Sequence, residues 1–434
     1  MTKMKEKGVP WLPEIAEDFS VGYVKQYFYV SKDLSDEGEP ERVLKLARAG
    51  IVEKDVTTNE GQMAASYAGY NKVQVGDLLL NPMDLYSGAN CNVSEMDGVI
   101  SPAYSNLRAK QPDTVVPKFY DYYFKCQYWL MAMFAHGKGV SFDNRWTLNN
   151  DALRAYEIPV VPYELQQRIV ESIQYEERKV DALVANVQAQ IEKLKAYKQS
   201  LITEVVTKGL NPMVALKDSG VDVYPYLPQH WNVQKTLTLL TMPITDGPHT
   251  TPELLPEGIP FVSAEAVSCG NGSIDFDHIR GFISQEFYDE CCKKYVPKIN
   301  DIYMIKSGAT TGRVSVVDTD RIFTIWSPLA VFRCNPDLVH YRFLYYFLQS
   351  TAYQRQVQFG WTYGTQQNIG MRTLERLKVF VPPLDEQNAI AEHLDNKCSQ
   401  VDQLIAIKQA KIEKLEQYKK SLIYEYVTGK KEVV

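Results

Sequence analysis

The stretch "IEKLKAYKQSLITEVVT" (Ile191–Thr207) returns as "IEKLEQYKKSLIYEYVT" (Ile412–Thr428). Twelve of the seventeen positions are identical, at a constant offset of 221 residues. Extended backwards at that offset, Val160–Thr207 aligns with Val381–Thr428 without a gap, and about half the positions match. Pro162 meets Pro383, Gln166 meets Gln387, Ile169 meets Ile390, and Val180-Asp181 meets Val401-Asp402. A repeat of this length decides the architecture before any other feature does.

Each copy reads as one long helix. Pro162 and Pro383 stand at its start. Glu164 in one copy, and Asp385 and Glu386 in the other, occupy the first turn, where acidic side chains meet the positive end of the helix dipole. Apolar residues then recur at alternating spacings of four and three. They are Val180, Val184, Val187, Ile191, Leu194, Leu201 and Val205 in the first copy, and Val401, Ile405, Ile412, Leu415, Leu422 and Tyr426 in the second. That pattern is a coiled-coil seam. Lys198 and Lys419 interrupt it at equivalent points, and Lys408 stands where the first copy has Val187. Gly209, with Pro212 beyond it, ends the first helix; the second ends near Gly429. Two seams in one chain pair most simply with each other, over roughly 65 Å at 1.5 Å per residue. Parallel and antiparallel pairings both satisfy the pattern.

A segment of different character precedes each helix. These segments are rich in Tyr, Gly and Pro and carry short apolar runs such as "KVQVGDLLL" and "GRVSVVDTDRIFTIWSPLAVFRC". They predict mixed α/β domains with several strands. Their mutual likeness is faint: "IAEDFSV" (Ile15–Val21) against "LPQHWNV" (Leu227–Val233), "GDLLL" (Gly76–Leu80) against "NDIYMI" (Asn300–Ile305), Ser101-Pro102 against Ser327-Pro328. The expected organisation is α+β: a first domain over 1–158, a helix over 159–210, a second domain over 211–379 and a second helix over 380–434. Helices kept alike must fit each other, while the domains are free to differ.

Composition narrows the function. A chain of 434 residues exceeds one ordinary domain. No uncharged apolar run is long enough for a membrane span, and "MTKMKEKGVPWLPE" lacks the apolar segment of a secretory signal. Cys91, Cys126, Cys269, Cys291, Cys292, Cys334 and Cys398 form no C-x-x-C, and the six histidines are scattered, which suits reduced thiols in a cytoplasmic protein. A net charge of −6 argues against coating DNA by bulk charge, though not against a local basic surface. Catalytic motifs are missing. "SGATTGR" (Ser307–Arg313) lacks the spacing and lysine of a phosphate-binding P-loop. "NPMD" (Asn81–Asp84) lacks the second proline and the aromatic of an adenine methyltransferase motif. No G-x-S-x-G, H-E-x-x-H or EF-hand loop occurs.

Two variable α/β domains alternating with two near-identical helices resemble the specificity subunit of type I restriction–modification systems. The carriers are the repeated helix unit, "LPQHWNV", "TDGPHTTP" (Thr245–Pro252), "SGATTGR" and the Ser327-Pro328 strand, and the resemblance covers essentially the whole chain. It implies that each domain is a target recognition domain reading one half of a split, asymmetric DNA target. It implies that the helices pair antiparallel, set the half-site spacing, and dock two methyltransferase (modification) subunits, which restriction and motor subunits can join. It further implies a non-catalytic chain with no cofactor of its own. S-adenosylmethionine for adenine-N6 methylation, and ATP with magnesium for restriction, belong to the partners.

Candidate DNA contacts follow from residue chemistry. In the second domain they are His249, Thr250 and Thr251 on the "TDGPHTTP" loop, and Lys306, Ser307, Thr310, Thr311 and Arg313 on the "KSGATTGR" turn. Hydroxyls and amides there suit phosphates, and Arg313 suits phosphate or guanine. Gln366, Gln367 and Asn368 carry the amides that pair with an adenine edge. The first domain lacks both motifs. Tyr86, Ser87, Asn90, Lys138, Asn144 and Arg145 are its candidates by position. Against this, Thr and Gly build tight turns, and tyrosines are commonly core. A coiled-coil scaffold that never touches DNA, and an autonomous enzyme, are the competing classes.

Overall fold

The computed structural model describes the chain except residues 1–3, 10–11, 37, 39, 48–49, 56–63, 65, 84, 86–90, 140–145, 364–366 and 434. Four of its helices organise the fold: α1 (Pro117–Trp129), α2 (Tyr163–Lys208), α3 (Tyr341–Gln349) and α4 (Leu384–Val427). The chain forms two compact units. One joins Met1–Val187 to Ala410–Val434, and the other takes Gln188–Gln409, so each unit holds one half of α2 and one half of α4.

In the first unit Ile169, Val170 and Ile173 of α2 share a core with Leu422, Ile423, Tyr426 and Val427 of α4. Further along, Lys419 reaches Glu177 at 3.7 Å and Asp181 at 2.8 Å. In the second unit Lys408 donates to Gln190 at 2.5 Å, and Lys198 pairs with Asp402 at 2.6 Å. There Ile202, Val205 and Val206 share a core with Ile390, Leu394 and Cys398. Numbers rise along α2 as they fall along α4, so within each unit the paired segments are antiparallel. Seam positions Val180, Val187, Ile191, Val401, Ile412 and Leu422 are buried, and Val184, Leu194, Leu201, Ile405 and Leu415 are half-buried among exposed flanks. Each of the three lysines that break the apolar pattern has a polar partner on the facing helix.

Both helices start and stop alike. The carbonyls of Pro162 and Pro383 accept the N–H groups of Gln166 and Gln387, each at 3.0 Å. Gly209 and Gly429 follow the last turns at φ +80° and +72°, where a side chain would be strained. A side chain would also collide there: with Glu386 and Trp231 at Gly209, and with Ala16 and Phe19 at Gly429.

The repeated glutamine pins each helix to its own domain. Gln166 Nε2 donates to the carbonyls of Val161 (2.7 Å) and Thr114 (3.1 Å), while its Oε1 accepts from the N–H of Val116 (2.8 Å), just before α1. Gln387 donates to Pro382 (2.9 Å) and Leu338 (3.1 Å) and accepts from His340 (2.8 Å), just before α3. Both side chains are buried, and leaving such a network half made would be costly.

Much of one strand topology occurs in both units. Each has an antiparallel pair beside its helix start: Ser20–Tyr23 with Glu157–Val160, and Asn232–Lys235 with Lys378–Val381. Each has a four-stranded antiparallel sheet. Its order is Phe28–Val30, Ser105–Ala109, Leu78–Leu80, Cys91–Val93 in the first unit, and Thr245–Asp246, Leu329–Phe332, Ile302–Ile305, Val314–Val316 in the second. Each has a further sheet with one parallel pair, Val43–Ala47 with Gly98–Ile100, and Ile259–Val262 with Thr324–Ile325.

The faint "GDLLL" and "NDIYMI" likeness marks a shared buried ion pair. Arg108 Nε and Nη2 donate to Asp77 at 2.7 Å each; Arg333 Nε and Nη2 donate to Asp301 at 2.8 and 2.7 Å. Tyrosines fill the cores: Tyr120, Tyr123, Tyr303 and Tyr353 are fully buried. Tyr120 and Tyr123 turn their hydroxyls to the carbonyls of Pro159 and Glu157. An aromatic ring can thus fill apolar space while its polar tip finds a partner.

Candidate nucleic-acid interface

Strand Thr245–Asp246 ends in the "TDGPHTTP" loop, and Asp246 is its hub. Its carboxylate is 1% exposed and takes Lys294 Nζ at 2.5 Å, His249 Nε2 at 3.1 Å and Lys306 Nζ at 3.3 Å. Burial pushes the Asp246 carboxyl up, but the Lys294 and Lys306 ammonium groups outweigh it and hold it below the usual carboxylate range. One buried negative charge therefore fixes two lysines, and the exposed His249 ring lies at the rim.

Gly247 makes the loop possible. A Cβ there would lie 2.0 Å from the carbonyl oxygen of Ile325 and 2.8 Å from the carbonyl carbon of Trp326, so the loop lies directly on the Ile325-Trp326 backbone. Thr250 lines a neighbouring cavity of about 220 Å³ together with Asp246, Lys294 and Cys291. Thr251 is exposed beyond it.

The "KSGATTGR" turn joins strand Ile302–Ile305 to Val314–Val316. Lys306 N–H donates to the Pro328 carbonyl at 2.7 Å, and the Lys306 carbonyl accepts from Ile369 at 2.9 Å. Ser307 bridges to Asn368, and Gly308 donates to the Gln367 carbonyl at 3.0 Å. Two motifs separated by some sixty residues thus lie together, with the Gln367 and Asn368 side chains exposed beside Ser307.

The other candidates on this turn have local duties. Thr311 Oγ1 donates to the Gly308 carbonyl at 2.7 Å, and the Thr310 carbonyl accepts from Arg313 N–H at 3.2 Å. Arg313 Nη1 donates to the Ser268 carbonyl at 3.2 Å. Thr311 and Arg313 line a separate cleft with Lys198, Asn271 and Gln349, away from the Asp246 cluster. The candidate set is therefore split. His249, Thr250 and Lys306 gather on Asp246, Ser307 joins Gln367 and Asn368, and Thr311 and Arg313 face elsewhere.

In the first unit Lys138 is exposed and exchanges backbone bonds with Thr147 at 2.9 and 3.1 Å. Tyr86, Ser87, Asn90, Asn144, Arg145 and, in the second unit, Gln366 lie outside the described residues. Sequence reading passed over Asp246 and Lys294. The acid was visible in "TDGPH", but nothing in "CCKKY" links Lys294 to it. Among the described residues no three His, Cys, Asp or Glu side chains form a metal site, and no helix is long and apolar enough to cross a membrane.

Comparison with known proteins places this arrangement. Residues 249–417 match the family model "Type I restriction modification DNA specificity domain". The chain is 22% identical to the type I restriction enzyme MjaVIII specificity subunit of Methanocaldococcus jannaschii over 409 residues, 93% of this chain and 86% of that protein. It is 22% identical to the EcoBI specificity subunit of Escherichia coli over 333 residues, 74% of this chain and 68% of that one. Its fold matches a chain from a structural study of complex assembly and conformational transition of the type I R-M system. The TM-score is 0.67 at 16% identity, covering 95% of this chain and 98% of the other. The repeated helices, the strand topology common to both units and these likenesses point the same way: the chain is similar to type I restriction–modification specificity subunits.

Proposed function

We propose that this chain is the DNA-specificity subunit of a type I restriction–modification complex and binds a bipartite, asymmetric target. Residues 1–158 and 211–379 act as the two recognition domains, one per half-site. The helices over 159–210 and 380–434 form an intramolecular antiparallel coiled coil, pseudo-twofold in design. That coiled coil sets the half-site spacing and docks two adenine-N6 methyltransferase subunits. The observation that carries the reading is the unequal repeat. Helices, glutamine pins and Asp–Arg pairs recur, while the first domain lacks the "TDGPHTTP" and "SGATTGR" motifs of the second. A device that reads two different half-sites with two equivalent partners needs that division.

The chain contributes no catalytic step in this scheme. S-adenosylmethionine binds the modification subunits, and ATP and magnesium serve the restriction subunits. Lys294 and Lys306 provide positive charge towards phosphates, and His249 offers a ring nitrogen for hydrogen bonding. Ser307, Gln367 and Asn368 provide donors and acceptors for base edges.

The test is reconstitution with the modification subunits, followed by mapping of methylated adenines on random-sequence DNA and duplex binding across a salt series. One bipartite motif with salt-dependent affinity is the expected result. Absence of sequence preference at every salt concentration would leave the coiled-coil scaffold as the better account.

A further inference from the structure

Arg280 lies outside every motif the sequence offered. Its guanidinium carbon stands 3.9 Å from the centroid of the Trp326 ring. Both residues are anchored on one strand, Ile259–Val262: Arg280 N–H donates to the Phe261 carbonyl at 3.3 Å, and Trp326 N–H donates to the Val262 carbonyl at 2.9 Å. Arg280 immediately precedes strand Gly281–Ile283, and Trp326 immediately follows strand Thr324–Ile325; these strands flank Ile259–Val262 on either side, so both residues stand at the same end of that sheet, beside Phe261 and Val262. The same backbone carries the candidate interface. Gly247 lies against Ile325 and Trp326, and Lys306 is tied to Pro328, two residues beyond the tryptophan.

The arginine is exposed, and among the described residues it has no ion-pair or side-chain hydrogen-bond partner. Arg333 and Arg342, by contrast, are bound to Asp301 and Asp395. The guanidinium sits over the indole ring, and its N–H groups have no hydrogen-bond partner among the described residues. A fork already held in place loses little freedom when it meets a planar pair of acceptors. The O6 and N7 atoms of guanine in the major groove are such a pair. A phosphate needs charge rather than a fixed plane, and Lys294 and Lys306 already supply charge beside the loop.

We infer that Arg280 is a specificity-determining residue that reads one guanine of the second unit's half-site, with Trp326 as its positioning residue. This rests on the DNA-specificity reading given above. The experiment compares the reconstituted wild-type complex with R280A, R280K and W326L, scoring methylation rate at every base of the target. In R280A one guanine position should lose about tenfold or more of its discrimination, in line with loss of a bidentate contact. The other half-site should keep its sequence, which reports that the chain is folded and assembled. R280K should recover affinity and not base preference, because it restores charge without the fork. W326L should relax the same position less severely. Equal weakening at all sequences, or an unchanged motif in R280A, overturns the assignment. A wild-type complex with no motif instead overturns the DNA-specificity reading itself.

Discussion

Lys198 donates to both carboxylate oxygens of Asp402, at 2.8 and 2.6 Å, and its counterpart in the repeat, Lys419, reaches Asp181, the counterpart of Asp402. A lysine within a seam therefore acts as a register mark. Sliding one helix past the other would set each ammonium among Val and Ile side chains. Removing one partner is predicted to hurt more than removing both. D402A, which strands the half-buried Lys198, should cost about 1–2 kcal/mol. K198L combined with D402L should leave stability equal or higher, since apolar seams replace such pairs without loss. Urea denaturation of the three proteins measures this, and a silent D402A would show the pair to be incidental.

Gln387 and Gln166 each satisfy three backbone groups at the junction of helix and domain. Q387A strands the Pro382 and Leu338 carbonyls and the His340 N–H, two bonds of which link α4 to the approach to α3. The expected loss is about 2–4 kcal/mol, and Q166A should lose a similar amount in the first unit. Thermal or denaturant unfolding checks both. A loss under about 1 kcal/mol would mean that water replaces the amide without cost.

How much of this was legible in sequence follows from what each part must fit. The helices face one another, so their seams are mutually constrained and the repeat stands out. The domains are held by strand register and by a few pins, and strand register leaves little trace in residue identity. Asp77 and Asp301 showed only as one shared letter in "GDLLL" and "NDIYMI", because their arginines stand about thirty residues away in unrelated surroundings. At the candidate interface the motifs were visible but their grouping was not. Lys306 and Arg313 sit seven residues apart on one turn, yet one reaches Asp246 and the other Ser268. Arg280 had no signal, since its platform lies 46 positions away.

Asp246 carries a pH signature. Burial pushes its carboxyl up, Lys294 and Lys306 outweigh that, and the folded value lies below the usual carboxylate range. With the folded pKa depressed, the unfolded chain takes up the proton first as pH falls. The stabilisation is therefore present above the ordinary value of about 4 and is lost as pH drops towards the folded value. D246N should be less stable than wild type at pH 7, and the gap should close below about pH 4. Denaturation curves at matched ionic strength test this. A gap that persists unchanged in acid would place the effect of D246N in packing rather than charge.

The helices offer the most direct test of a spacer. Val187 and Lys408 occupy equivalent seam positions, at the boundaries where each helix passes from one compact unit to the other. Inserting one seven-residue repeat after both keeps each apolar seam in phase, because the pattern recurs every seven residues. It adds about 10 Å of helix at 1.5 Å per residue, which corresponds to about three base pairs at 3.4 Å each. The mapped motif of the insertion variant should keep both half-site sequences and gain about three bases between them. Insertion in α2 alone leaves its partner a repeat short, and should lower stability and abolish a defined spacing. A motif whose gap stays constant in the double insertion would separate half-site spacing from helix length. Altered half-site bases would instead mean that the helices help shape the reading surfaces.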